Sequence, residues 1–273
     1  MRNIFSDWFD VSVRDLLPAQ SEKSLKTAVG FCSLNAPSPS PTLAGMKHAG
    51  KARRAGLRII FLTLIPALAV AVICHFSRGA GEWVRALGAV ILLLWVLFAA
   101  FTFNFFRDPE ARIPAGKGFI VAPAHGTVDV VDETTEGEFM GGTCQRISIF
   151  LNVFDVHVQK APVSGKLRFE KHCEGQYLSA TRSDCGTFNE NVLLGFVPTE
   201  FPDRKLGVRL IAGLIARRII VWTTTDETVA QGERISLVQF GSRADVYFPA
   251  GAKLKCKLGD KVVGGETVIA TFD

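Results

Sequence analysis

Two stretches of this chain, Ile59 to Phe76 and Ala86 to Phe103, contain no Asp, Glu, Lys or Arg. Each is about long enough, as a helix rising ~1.5 Å per residue, to cross a hydrocarbon layer ~30 Å thick. Between them Ser77 to Arg85 carries Arg78, Glu82, Arg85 and two glycines, which reads as a short polar turn. A two-helix membrane hairpin is therefore expected. Lys47, Lys51, Arg53, Arg54 and Arg58 precede the first run, and Arg107, Arg112 and Lys117 follow the second. The positive-inside tendency puts both flanks in the cytoplasm, although the arginines of the short loop pull the other way. A buried helical hairpin or a monotopic insertion would carry the same pattern, since Pro66 interrupts the first run. A cleaved signal peptide fits less well, because the first run starts far from Met1 and a second follows at once.

The rest of the composition narrows the function classes. With 273 residues, 48% of them apolar, and a mean hydropathy of +0.25, the chain can hold one moderate domain beside the membrane element. Cys32, Cys74, Cys144, Cys173, Cys185 and Cys256 show no paired spacing of a zinc or redox motif, so no metal site is expected and the scattered thiols suit a reducing cytosol. The net charge of +5 comes partly from the basic juxtamembrane patch, which favours anionic lipid headgroups. No aromatic-basic motif of a nucleic-acid reader is present, so no nucleic acid partner is expected.

Residues 1–56 read as a polar, disordered leader with a basic end, broken by Ala36-Pro-Ser-Pro-Ser-Pro-Thr42. The first 45 residues are either a misassigned gene start or a dispensable extension. Residues 57–106 form the two-helix anchor, and 107–273 the main domain. There the pattern changes to short β-branched and aromatic runs between Gly, Pro and Asp: Phe119-Ile-Val-Ala, Gly126-Thr-Val-Asp-Val-Val, Arg146-Ile-Ser-Ile-Phe-Leu, Val192-Leu-Leu-Gly-Phe-Val and Arg234-Ile-Ser-Leu-Val-Gln-Phe. Many short strands at such spacing predict a mainly β, β-rich α+β domain. Leu206 to Trp222 divides into two strands around Gly213. Gly251 to Thr271 alternates like the strand-turn-strand of lipoyl- and biotinyl-like sandwiches.

One dipeptide in this domain carries chemistry. Leu237-Val-Gln-Phe-Gly-Ser-Arg-Ala-Asp-Val-Tyr-Phe-Pro249 contains Gly241-Ser242. Gly permits backbone conformations that a Cβ forbids, and a following serine hydroxyl can then reach the preceding carbonyl carbon, as an N-to-O acyl shift requires. Upstream lie Ile211-Ala-Gly-Leu-Ile-Ala-Arg-Arg-Ile219, Asn152-Val-Phe-Asp-Val-His-Val-Gln-Lys-Ala-Pro-Val-Ser-Gly165 and Phe103-Asn-Phe-Phe-Arg-Asp-Pro109. This ordered set, over roughly Phe103 to Pro249, resembles the short bacterial form of phosphatidylserine decarboxylase, a pyruvoyl-dependent proenzyme.

The resemblance implies a self-cleaving carboxy-lyase that converts phosphatidylserine to phosphatidylethanolamine at the bacterial inner membrane, with the catalytic domain on the cytoplasmic side. It implies cleavage at Gly241-Ser242 into a β chain, Met1 to Gly241, and an α chain, Ser242 to Asp273, that stay together as a heterodimer. Ser242 would become the pyruvoyl group, the self-derived cofactor that forms a Schiff base with the substrate amine and serves as electron sink. His157 matches a histidine used in proton handling, and Asp155 could orient it if both share a strand face. Arg217 and Arg218 match the family's Ala-Arg-Arg and would bind the substrate phosphate, one of them at most if both lie in a strand. Apart from the resemblance, Arg243 and Asp245 adjoin this bond and either fix its turn or form an ordinary surface pair.

The sequence also departs from the family pattern. Pro123-Ala-His-Gly126 places His125 where relatives carry an aspartate that works with the serine in self-processing. Either His125 takes the serine proton itself, or Asp129 or Asp132 substitutes. Where longer members have a second histidine this chain has Lys160, and Asn189-Glu-Asn191 lacks the arginine of the family's Asn-Glu-Arg. Two other readings stand beside the enzyme: a membrane-anchored lipoyl-like adaptor, suggested by Ala161-Pro-Val-Ser-Gly165 and Gly259-Asp-Lys-Val-Val-Gly-Gly-Glu266, and a processing-defective relative that binds anionic lipid.

Overall fold

The computed structural model describes residues 47–77, 81–180, 185–214, 218–239 and 241–272. The expected leader up to residue 46, and Arg217, lie outside them. The two apolar runs form helices α1 (Lys51–Phe76) and α2 (Glu82–Phe105), each long and apolar enough to cross a membrane. Only Ala52, Gly56 and Cys74 of α1, and Gly88, Thr102 and Phe105 of α2, are buried. Core helices of a water-soluble domain would bury an apolar stripe, whereas here Phe61, Ile65, Ile73, Leu93, Leu94 and Leu97 stay exposed. The helices meet through small residues: a Cβ on Gly88 would come 2.9 Å from the Cys74 Cβ. Trp95 Nε1 donates to Thr63 Oγ1 at 3.1 Å, a polar tie between otherwise apolar surfaces.

The remainder is mainly β, as the alternating runs require. Its strands are β1 (Phe119–Val121), β2 (Gly126–Glu136), β3 (Gly142–Leu151), β4 (Val158–Lys160), β5 (Gly165–Cys173), β6 (Asn191–Pro198), β7 (Leu206–Ala212), β8 (Ile219–Val221), β9 (Thr228–Val229), β10 (Arg234–Val238), β11 (Ser242–Phe248), β12 (Lys253–Leu254), β13 (Lys261–Val262) and β14 (Val268–Thr271). A short helix, α3 (Cys185–Phe188), precedes β6. An eight-stranded sheet runs β13-β2-β3-β11-β7-β6-β5-β9, flanked by the three-stranded sheets β1-β14-β12 and β4-β10-β8. Leu206 to Trp222 does supply two strands, β7 and β8. The expected strand-turn-strand near the C-terminus is split: β12 pairs with β14, while β13 crosses to extend the large sheet beside β2.

Period-two alternation decides which side chains reach the core. Ile147, Ile149 and Leu151 of β3, Val208, Leu210 and Ala212 of β7, and Ala244, Val246 and Phe248 of β11 all belong to the main apolar cluster. Ser242 is paired with Leu151 and Ala212, so it points to this same core side. Arg243, Asp245 and Tyr247 take the other face and, with Arg146 and Arg209, line a polar cavity of about 350 Å³.

The hairpin is seated on the β4-β10-β8 sheet. Ala52, Phe105 and Phe106 pack with Val156, Val158 and Leu237 in a second buried cluster. Around it, Lys51 lies over the Trp222 ring at 5.7 Å, and Lys47 Nζ bridges Glu227 and Glu233 at 3.2 and 3.4 Å. His48 stands beside those carboxylates, and the Lys47 ammonium already balances much of their charge. Deeper, the buried Asp108–Arg234 pair, 2.5 Å apart, and Lys160 Nζ, which donates to the Pro109 carbonyl at 2.9 Å, fasten the chain as it leaves α2. The base of the apolar hairpin is thus bound into the fold next to β4, which follows His157, and β10, which leads toward the Gly-Ser dipeptide.

Candidate active site

Gly241 opens the site. Its φ of 67° lies in the left-handed region that L side chains rarely adopt, and Ser242, fully buried, begins β11 between β3 and β7. The Ser242 Oγ makes no hydrogen bond among the described residues. A buried hydroxyl without a partner costs free energy on the order of 1–3 kcal/mol, so its retention calls for an explanation beyond packing.

His157 reaches this bond from the loop before β4. The Gly241 N–H donates to His157 Nε2 at 3.2 Å, and His157 Nδ1 lies 2.9 Å from the Asp155 carbonyl. An acceptor at Nε2 fixes the neutral tautomer, with the proton on Nδ1 donated to that carbonyl. Asp155 therefore orients the imidazole through its main chain. Its carboxylate instead accepts from the Asn152 N–H at 2.8 Å and closes the turn, so the expectation of a shared strand face does not apply. Burial pushes the His157 pKa down to about 4, with the charges of Arg107 and His125 acting in the same direction. Arg107 also pins the end of α2 to this turn, donating to the Asn104 and Phe154 carbonyls at 2.8 and 2.6 Å.

His125 lies near enough to His157 for their charges to interact, and burial, reinforced by Lys160, pushes its pKa down to about 4 as well. Its Nδ1 accepts from the Gly264 N–H at 3.3 Å, which leaves Nε2 as the protonated nitrogen of the neutral ring. Burial likewise lowers the Lys160 pKa, with Arg234 adding to the effect. Asp129 and Asp132 are engaged elsewhere: Asp129, at a bulge in β2, pairs with Arg243, and Asp132 pairs with Arg146 at 2.6 Å, both arginines lining the polar cavity on the face opposite Ser242.

This geometry joins a Gly-Ser bond, a positive-φ glycine and a neutral imidazole at one buried point. Residues 98–270 match the phosphatidylserine decarboxylase family model. The chain belongs to that family. Its members are carboxy-lyases, so the enzyme class expected from the motifs holds for this chain. Among the relatives, the phosphatidylserine decarboxylase proenzyme of Symbiobacterium thermophilum is 42% identical over 184 residues, 67% of this chain and 83% of that protein. The proenzyme of Desulfotalea psychrophila is 39% identical over 180 residues, 66% of this chain and 83% of its own length. That of Nocardia farcinica is 36% identical over 240 residues, 86% of this chain and 97% of the relative.

In this member of the decarboxylase family the other candidate residues take separate places. The Arg218 carbonyl accepts from the Gln239 N–H at 3.3 Å, which places residue 218 beside the segment leading into Gly241. Arg243 reaches across β3 to Asp129 rather than toward the Gly241–Ser242 bond, and Asp245 is buried beside Tyr247, its pKa raised by burial. Asn189 is a clamp: its Nδ2 donates to the Ala212 and Leu178 carbonyls at 2.7 and 2.8 Å, and its Oδ1 accepts from Leu178 N–H at 2.9 Å. Two contributors escaped the sequence reading. Phe105, whose ring packs on His157, had a signal in the Phe-Asn-Phe-Phe cluster closing the second apolar run. Gly213, where a Cβ would lie 2.2 Å from the Gly241 carbonyl oxygen, had only its interruption of a β-branched stretch.

Proposed function

We propose that this chain is a membrane-anchored proenzyme that cuts itself between Gly241 and Ser242, becomes pyruvoyl-dependent, and decarboxylates phosphatidylserine to phosphatidylethanolamine. The observation that carries the reading is the buried Ser242 Oγ, without a partner among the described residues, directly after a positive-φ Gly241 whose N–H is held by His157. Ser242 Oγ adds to the Gly241 carbonyl carbon, the Gly241–Ser242 C–N bond breaks, and the hydroxyl proton ends on the freed nitrogen. Loss of the Ser242 Cα proton and of the Gly241 carboxylate then leaves dehydroalanine. One water releases ammonia and leaves a ketone at the head of β11. The β chain Met1–Gly241 and the α chain Ser242–Asp273 stay together because β11 is hydrogen-bonded on both edges, to β3 and β7.

A pyruvoyl group fits this position, because the serine from which it derives is already shielded from water at the end of a strand fixed on both sides. The group supplies a carbonyl that condenses with the substrate amine and draws off the electron pair released with CO2. His157 then holds and returns the proton at the substrate's α-carbon. Its pKa of about 4 suits a neutral resting state, and the anionic phosphate and carboxylate of an arriving lipid raise it toward a proton donor. Arg218, and Arg217 outside the described residues, are assigned to the phosphate. His125 is assigned the Ser242 proton during self-cleavage, a role for which the Gly264 N–H must release Nδ1.

The same reading assigns a leader over 1–56, an anchor over 57–106 and a catalytic domain over 107–273. Basic residues flank both helices on the side where the β domain sits, which favours an inner-membrane enzyme facing the cytoplasm and anionic lipid. Intact mass spectrometry of the purified chain tests the proposal. Two fragments divided at Gly241-Ser242, the smaller blocked to Edman sequencing, are expected. A single full-length species with Ser242 unmodified would leave the processing-defective lipid binder as the reading.

A further inference from the structure

The side of the large sheet that meets the scissile bond is shaped by a residue with no functional group. Gly213 follows β7 directly, where Ala212 pairs with Ser242, so it stands opposite Gly241. A Cβ built on Gly213 would lie 2.2 Å from the Gly241 carbonyl oxygen and 3.2 Å from its carbonyl carbon. Gly213 has no positive φ, so alanine meets no backbone penalty there; the obstacle is the Gly241 carbonyl itself. The seat is braced from behind. Asn189 Nδ2 holds the Ala212 carbonyl at 2.7 Å, the Ala212 N–H donates to the Glu190 carbonyl at 2.9 Å, and Ala180 Cβ lies 3.2 Å from where the added Cβ would sit.

We infer that Gly213 is a positioning residue for self-cleavage: its missing side chain is the space in which the Gly241 carbonyl oxygen rests and swings as Ser242 Oγ adds to the carbonyl carbon. The inference rests on the processing reaction proposed above. Addition turns a planar carbonyl into a tetrahedral centre, so the oxygen must leave the peptide plane, and a methyl group in its place would rotate the whole plane away from Ser242. A displacement of about 1 Å at a reacting centre costs on the order of a hundredfold in rate. Asn189 serves the same end at one remove, by fixing Ala212 and hence Gly213.

Three full-length variants in detergent test this, read as the fraction of folded chain that is cleaved against time. Gly213→Ala should accumulate as precursor, with processing slowed at least about a hundredfold and a cooperative melt retained. Gly165→Ala is the control, because its Cβ would meet the Val197 carbonyl oxygen at 2.4 Å, a similar clash at the β5–β6 pair away from Ser242. It should lose stability yet self-cleave at the unmodified rate in its folded fraction. Hydroxylamine separates the steps, since it cuts the chain only once an ester has formed at Ser242. Gly213→Ala should resist it. Cleavage at the unmodified rate, or hydroxylamine-sensitive precursor, would overturn the inference. If Gly213→Ala melts without cooperativity, Asn189→Asp decides: it replaces the donor to Ala212 with an acceptor, so slower processing supports the positioning role and unchanged processing overturns it. Failure of the unmodified chain to cleave would instead sink the processing reaction itself.

Discussion

The ring of Phe105 lies 4.1 Å from that of His157, centroid to centroid, with the planes tilted by 32°. The last residue of an apolar helix thus forms one wall around the imidazole that receives the Gly241 N–H. Removing that wall admits water, so Phe105→Ala should raise the His157 pKa from about 4 toward the usual ~6.5. It should also destabilise the fold by about 3–5 kcal/mol, the usual range for deleting a buried phenyl ring. Phe105→Leu should keep most of the stability and much of the depressed pKa. An imidazole titration followed by NMR, beside thermal melts of the same samples, checks both.

His157→Ala should separate the two reactions. Loss of a general acid–base group lowers turnover by about 10²–10⁴-fold. Decarboxylation, measured as CO2 release from phosphatidylserine vesicles, should fall by that amount in whatever fraction of the variant is cleaved. Self-cleavage, read on a denaturing gel, should slow much less, because the Gly241 N–H loses an acceptor while Ser242 and Gly213 remain in place. Equal losses in both assays would mean that His157 acts chiefly by holding the Gly241 turn.

The two buried imidazoles give stability a defined pH dependence. Each has a folded pKa of about 4, below the ordinary value of 6.5, so between those values the unfolded chain binds more protons. Their neutral forms contribute fully above pH ~6.5, and that contribution drains away as pH falls toward ~4. For the fully buried His157 the loss amounts to roughly 3 kcal/mol; His125, partly exposed, contributes less. Chemical denaturation at pH 7 and pH 4.5 should show it, and His157→Gln should flatten the difference.

Much of this arrangement was legible in the chain because it rests on local patterns. The two charge-free runs became α1 and α2, the alternating runs became strands, and Gly241-Ser242 stood out as a dipeptide. What stayed hidden is contact between distant segments. The Gly241 N–H and His157 Nε2 are separated by 84 positions, and no periodicity announces their meeting. Asp155 reads as an orienting carboxylate only if a strand runs through His157; the turn found there commits its carboxylate to local capping and its carbonyl to the imidazole. Asp129 and Asp132 are candidates by proximity in sequence to His125, yet β2 turns them toward Arg243 of β11 and Arg146 of β3. Gly213 is legible only as a break between two strands, since its contribution at the site is the absence of an atom beside a carbonyl brought there by the β7–β11 register.

Two exposed apolar side chains stand at the edge of the site. Phe154, 65% exposed, caps the turn that carries His157 and meets Phe101 of α2 edge-on at 6.3 Å, while Leu214, 64% exposed, follows Gly213. Phe154 is continuous with the apolar surface of the hairpin, so a bilayer holding α2 also meets this turn. Burying a phenyl side chain is worth about 1.5–3 kcal/mol, enough to shift an interfacial equilibrium by an order of magnitude or more. Phe154→Asp and Leu214→Asp should therefore raise KM for phosphatidylserine in vesicles by about tenfold each while leaving kcat unchanged, the signature of lost uniform binding. With a short-chain phosphatidylserine dissolved below its micelle concentration, the same variants should match the unmodified enzyme. A fall in kcat on the soluble substrate would place these side chains in the chemistry rather than at the membrane surface.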